Sequence, residues 1–192
     1  RPAVHKGQKL LVIAVLNGRI GAVDSVNAVN TGCFRELSAR FSLREVGMGG
    51  WLGRDGSMSL LVVDRFTPGR LLPTGQGVGL ARKIGADIAL ELIAAGRVRN
   101  SFFSMTDADA SLPVDYFGRV GELKEKCSAG IFPLWHEPSG KARIDRGTAL
   151  YEVGLRYFQR GLHWANSPYA FHSLGSTIVV NALCYAQVRG VP

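Results

Sequence analysis

The sequence predicts a three-layer α/β/α fold, with helices on both sides of a mostly parallel (mixed) central sheet, and three observations point to it. Two apolar runs rich in β-branched residues, Leu10 to Leu16 and Met58 to Asp64, read as strands buried on both faces. Stretches with apolar positions at helical spacing alternate with such runs, which is the order of βαβ units. Polar residues, among them Asn17, Asp64, Asp107 and Asp109, close the runs, and open α/β sheets bind ligands beyond those strand ends.

Asn17-Gly18 ends the first strand. Asp24-Ser25 then offers an N-cap for a helix from Ser25 to Arg40, with Val26, Val29, Cys33 and Leu37 recurring on one side. The Gly-rich piece from Gly47 to Gly56 reads as a loop before the second strand, Met58 to Asp64. Turn-forming Thr67-Pro68-Gly69 and Pro73 to Gly79 lead into a helix over Leu80 to Ala95, with Ile84, Ile88 and Leu92 on one face and Gly96 as its stop. Asn100 to Thr106 is a short strand that runs into Asp107-Ala108-Asp109. Past Pro113 a helix is expected to bury Val114, Phe117, Val120 and Leu123. Ile131 to Trp135 reads as a strand and His136 to Gly140 as a turn. Asp145, as an N-cap, starts a helix to Gly161 with Leu150, Val153, Tyr157 and Phe158 inward. Tyr169 to His172 reads as a further strand, and Ile178 to Arg189 as the last helix.

A chain of 192 residues suits one domain spanning 1–192, long enough to bury a core without disulfides. With 46% hydrophobic and 20% charged residues it is far from the composition of disordered chains. Its longest apolar run, Leu10 to Leu16, is seven residues against the roughly twenty of a membrane-spanning helix. The opening residues Arg1 to Lys6 lack the features of a secretory signal, and a start on Arg reads as a trimmed or processed chain. Cys33, Cys127 and Cys184 are odd in number and share no metal or redox spacing, so free thiols in a reducing cytoplasm are expected. A net charge of +8 implies an anionic partner. The Lys and Arg residues are scattered and not interleaved with aromatics, which argues against nucleic acid.

The sharpest chemical signal is Thr106-Asp107-Ala108-Asp109-Ala110-Ser111-Leu112-Pro113. Two carboxylates one residue apart on extended chain point the same way. Together they suit Mg²⁺ or Mn²⁺, hard cations that use one or two protein carboxylates beside substrate phosphates. The same pattern also serves as a solvated loop or a helix cap. Gly77-Val78-Gly79-Leu80-Ala81-Arg82-Lys83 places glycines, a helix start and two cations together, as a phosphate contact needs. A basic helix facing water would carry the same residues. It is not a dinucleotide fingerprint, because Leu80 takes the third glycine position.

Over Leu10 to the carboxyl terminus, and most over Gly77 to Phe117 and Gly175 to Pro192, the chain resembles GT-A-fold glycosyltransferases of the family 2-like group. The resemblance implies a GT-A-type catalytic domain that moves a sugar from a nucleotide-diphosphate donor to a hydroxyl acceptor, with inversion. It implies that Asp109 is the direct Mn²⁺ or Mg²⁺ ligand, with Asp107 beside it near the metal or the donor ribose. Arg82 and Lys83 match the family's Gly-x-x-x-Ala-Arg segment beside the nucleotide. Asn17 and Asp64 match polar residues that meet the donor, although Asp64-Arg65-Phe66-Thr67 replaces the usual Asp-Gly-Ser-x-Asp run and leaves the base undefined. Asp64 also suits a surface ion pair.

His172 to Thr177 resembles the loop beside the sugar and acceptor, with Gly175 and Ser176 near the donor; Ser176 and Thr177 equally suit an N-cap. In inverting members a Glu-Asp pair beyond this loop supplies the base. No residue after Gly175 is acidic, so the catalytic residue is unassigned and the domain is expected to be truncated, its base lying beyond Pro192. Arg143, Arg146, Arg156 and Arg160 could face an anionic acceptor or simply water. A sugar-phosphate nucleotidyltransferase would use related metal chemistry, and a non-catalytic nucleotide-binding module would keep the pocket. Pyrophosphate release from a nucleoside triphosphate would mark the first, and binding without turnover the second.

Overall fold

The computed structural model describes residues 8–21, 24–124, 126–171 and 177–190. It is a mixed α/β structure. In chain order the elements are β1 (Leu10–Asn17), α1 (Asp24–Phe41), β2 (Arg44–Gly47), β3 (Gly50–Asp55), β4 (Met58–Arg65) and α2 (Val78–Ala94). They continue with β5 (Phe102–Met105), α3 (Tyr116–Gly121), β6 (Ala129–Ile131), α4 (Ala142–Trp164), β7 (Ile178–Asn181) and α5 (Ala182–Gln187). One sheet has four strands in the order β1-β4-β3-β2, and the other has three in the order β5-β7-β6. The chain divides into two compact units, Arg1–Phe103 with Ser111–Ser128 and Val180–Pro192, and Ser104–Ala110 with Ala129–Val179.

In the first unit β1 and β4 pair in parallel, in register from Leu10 opposite Met58 to Asn17 opposite Arg65. The other two pairs of this sheet, β3 with β4 and β2 with β3, are antiparallel. Its mixed character matches expectation, but parallel pairing does not dominate it. Side chains alternate along β1, so its two faces serve two helices. Val12, Ala14 and Leu16 join the core of Phe41, Leu43, Leu60 and Val62, together with Phe34 and Leu37 of α1. On the other face α2 comes close: a Cβ on Gly85 would lie 3.5 Å from Val15 Cγ2. Of the expected α1 face only Leu37 packs there, whereas Val29 is 70% exposed. The neighbouring Phe34 takes the inward place, with its ring 5.3 Å from Trp51.

The expected loop from Gly47 to Gly56 is instead a turn and a strand. Met48 (φ 52°) and Gly49 (φ 78°) form the two-residue link from β2 to β3, and this left-handed pair matches the twist of a hairpin. Gly53 within β3 marks a close approach, since a Cβ there would overlap the Phe41 carbonyl oxygen. Glycine density here reflects turns and contact with α1, not irregular chain.

The predicted last helix is split. Ile178-Val179-Val180 forms β7, as β-branched residues favour, and Val179 is wholly buried. The cap of α5 is then Asn181, whose Oδ1 accepts from the backbone N–H of Leu183 at 2.9 Å and of Cys184 at 3.4 Å. The strand expected at Ile131 to Trp135 lies earlier, at β6, and Tyr169 to Phe171 is not a strand. His172 lies outside the described residues. In α3 Val120 is buried as expected and Val114 is exposed, while Tyr116 is buried in addition.

In the second unit α4 begins at Ala142, three residues before the expected cap, and Asp145 sits in its first turn, where a carboxylate suits the helix dipole. The expected inward residues face the other way. Leu150 and Val153 are each 66% exposed, Tyr157 82% and Phe158 64%. The half-buried side carries Leu155 and Leu162 among polar residues, and its ties to the rest of the unit are polar. Asp145 accepts from the Ser139 N–H and hydroxyl, Arg156 donates to the Leu134 carbonyl at 2.8 Å, and Gln159 donates to that of Ala170 at 3.2 Å.

Two glycine substitutions test these readings in opposite directions. Gly53→Ala should destabilise the chain in urea unfolding by about 1–3 kcal/mol, because a backbone oxygen cannot yield. Gly147→Ala, on the open side of α4 with nothing within 4 Å of its Cβ position, should add about 0.5–1 kcal/mol of helix stability.

Candidate functional site

Parallel pairing brings the carboxyl ends of β1 and β4 to one edge, so Asn17 and Asp64 lie on neighbouring strands there, with Leu16 opposite Asp64. Asp64 is buried, yet its carboxylate is fully engaged. Oδ1 accepts from the backbone N–H of Phe66 and of Thr67, both at 3.0 Å, and Oδ2 accepts from the Thr67 hydroxyl at 2.6 Å. Arg70 Nη1 stands 3.6 Å from Oδ2 and lies across Gly49 to reach it. Burial, the largest single influence, raises the Asp64 pKa, but the Thr67 hydroxyl, the two amides and Arg70 together bring it below the usual carboxylate range. This carboxylate therefore fixes the turn after β4. Asn17 contributes its carbonyl, which accepts from Asn30 Nδ2 at 3.1 Å.

Beside this turn Asn27, Thr31, Phe66, Thr67, Pro68 and Leu71 line a cavity of ≈ 180 Å³. Asn27 Oδ1 is buried there without a hydrogen-bond donor, an unmet acceptor of the kind that native structures seldom leave. Gly18 makes room for it, since a Cβ at that position would stand 3.0 Å from Asn27 Oδ1 and from Leu71 Cδ2. Sequence reasoning missed this lining. Its trace in the chain is Asn27 and Thr31 one helical turn apart, and Thr67 three residues after Asp64, in reach of the carboxylate.

Arg82 and Lys83 sit in the second turn of α2. Lys83 Nζ is 3.2 Å from Asp87 Oδ2, while Tyr185 of α5 donates its hydroxyl to Asp87 Oδ1 at 2.8 Å. Lys83 is thus tied into the contact of α2 with α5. Arg82 is half-buried.

Asp107 and Asp109 follow β5 directly, in the second unit. The extended chain stops at Met105, and Ala110 N–H closes a turn on the Asp107 carbonyl at 3.2 Å. Strand alternation therefore does not set how these two side chains point; they leave the first and third positions of a turn. Asp107 is half-buried and Asp109 exposed. Among the described residues no group of three or more His, Cys, Asp and Glu side chains comes together. Gly175 and Ser176, with the rest of 172–176, lie outside the described residues. The three cysteines are unbridged. No described helix is long and apolar enough to cross a membrane.

Comparison with protein-family models, with curated proteins and with solved structures finds no match to this chain.

The engagement of Asp64 makes stability depend on pH. A carboxyl group whose folded pKa is depressed contributes fully above its unfolded pKa and loses that contribution as pH falls through the folded one. Urea unfolding should therefore show stability falling as pH drops from neutral to below 3.8, and Asp64→Asn should flatten that acid limb. An unchanged limb would mean that other carboxylates set it.

Proposed function

We propose that this chain is a GT-A-type, sugar-nucleotide-dependent glycosyltransferase that uses Mn²⁺ or Mg²⁺ at the Asp107–Ala110 turn to hold a donor diphosphate. The observation that carries the reading is that turn: two carboxylates just beyond β5, with the small Ala108 between them and Asp109 exposed. A cation bound there would neutralise charge developing on the departing diphosphate. Asp109 is assigned as the direct ligand, and Asp107 supports the metal or a ribose hydroxyl.

The edge beyond β1 and β4 belongs to the first unit and is a separate candidate surface. Its cavity is lined in part by the Phe66 ring and by Asn27, whose buried Oδ1 has no hydrogen-bond donor. The turn fixed by Asp64, Thr67 and Arg70 gives that cavity one wall that needs no ligand to hold it. Asp64 shapes that cavity and is not itself free to meet a ligand. Lys83 is held by Asp87. Transfer proceeds to a hydroxyl acceptor, with inversion carried over from the family resemblance alone.

Equilibrium dialysis of nucleotide sugars tests the assignment. Binding should require Mn²⁺ or Mg²⁺, and Asp109→Ala should weaken it by at least about tenfold, the smallest effect usual for removing support from a metal site. A donor that binds equally with and without metal, or equally to both proteins, would remove the basis of the proposal.

A further inference from the structure

Along α4, Arg146, Leu150, Val153, Tyr157, Arg160 and Trp164 recur at alternating spacings of four and three. That spacing stacks them on one face of a helix. The face is open to solvent: Tyr157 is 82% and Trp164 88% exposed. Both carboxylates of the helix are engaged elsewhere, Asp145 with Ser139 and Glu152 with His136 and Arg156. The stripe therefore combines apolar bodies, amphipathic rings and cations, and it carries no acid.

A stripe with this period also suits a second helix, but the two arginines weigh against that partner. In a helical seam Arg146 and Arg160 would lose water without gaining a counter-charge. A second copy of the chain would bring the same cations to the same seam. A bilayer of negative phospholipids offers what the face lacks. Headgroup phosphates meet the guanidinium groups, whose stems lie along the apolar surface, while Leu150 and Val153 enter the acyl boundary. Tyrosine and tryptophan rings are at home at that depth. The charges of α4 let it lie on a membrane but not cross one.

We propose that α4 docks flat on an anionic phospholipid surface, with Leu150, Val153, Tyr157 and Trp164 inserted and Arg146 and Arg160 on the phosphates. This contact does not depend on sugar transfer, and its test uses no donor. The full chain is sedimented with vesicles of phosphatidylcholine alone and of phosphatidylcholine mixed with phosphatidylglycerol. It should partition onto the mixed vesicles, less so as salt rises. Arg146→Gln and Arg160→Gln should each weaken partitioning by about fivefold, the value of one cation near such a surface. Vesicles should also shift tryptophan emission to the blue, and Trp164→Phe should remove most of that shift. All three side chains are exposed, so far-ultraviolet circular dichroism should not change. Equal sedimentation of the double Gln variant, absence of sedimentation with both vesicle types, or lipid-free dimers without vesicle binding would each overturn the proposal.

Discussion

The register between β1 and β4 is the constraint on which the first unit rests. Eight residues of each strand pair in parallel, and the pairing decides two things at once. It turns Val12, Ala14 and Leu16 toward α1 and, with the alternate residues facing α2, closes a core around Val62, which has no exposed surface. It also sets Asn17 and Asp64 at one edge. A slip of a single residue would reverse every face and part Asp64 from its place beside Leu16. Core and candidate pocket are therefore products of one alignment.

Electrostatics in this chain does different work at different carboxylates. Asp64 is buried and surrounded by donors, so its charge organises backbone. Asp87 links helices by receiving both Lys83 and Tyr185. Asp109, in contrast, is exposed on a turn, which is the condition for meeting a ligand. Burial and hydrogen bonding separate the structural acids from the one proposed to bind, although all of them look alike as letters in the chain.

Much of this was legible in the sequence where local chemistry and tertiary setting agree. The apolar β-branched runs of β1 and β4 lie where expected, as do α1 and α2, because nothing competes with their pattern. Glycine misled at β3, where Gly53 serves contact and Gly49 a turn. Ile178 to Val180 was read into the last helix, but its β-branched residues favour strand, and the strand puts Val179 and Asn181 on a buried face. At α4 the apolar stripe was read as a core face, since periodicity cannot tell which side meets the protein. The carboxyl edge was legible from Asn17 and Asp64. The cavity lining was not, because Asn27, Thr31 and Thr67 become neighbours only through tertiary packing.

Little inside α4 keeps it helical. None of its residues is buried, no side chain caps its first turn, and Gly147, Gly154 and Gly161 interrupt it every seven residues. Each glycine costs about 1 kcal/mol of helix propensity against alanine. Its order comes from polar ties and from the half-buried Leu155 and Leu162 on one side, contacts that loosen at lower temperature than a packed sheet does. On heating, the chain comes apart in stages, and a single melting temperature describes the β1–β4 core but not this helix.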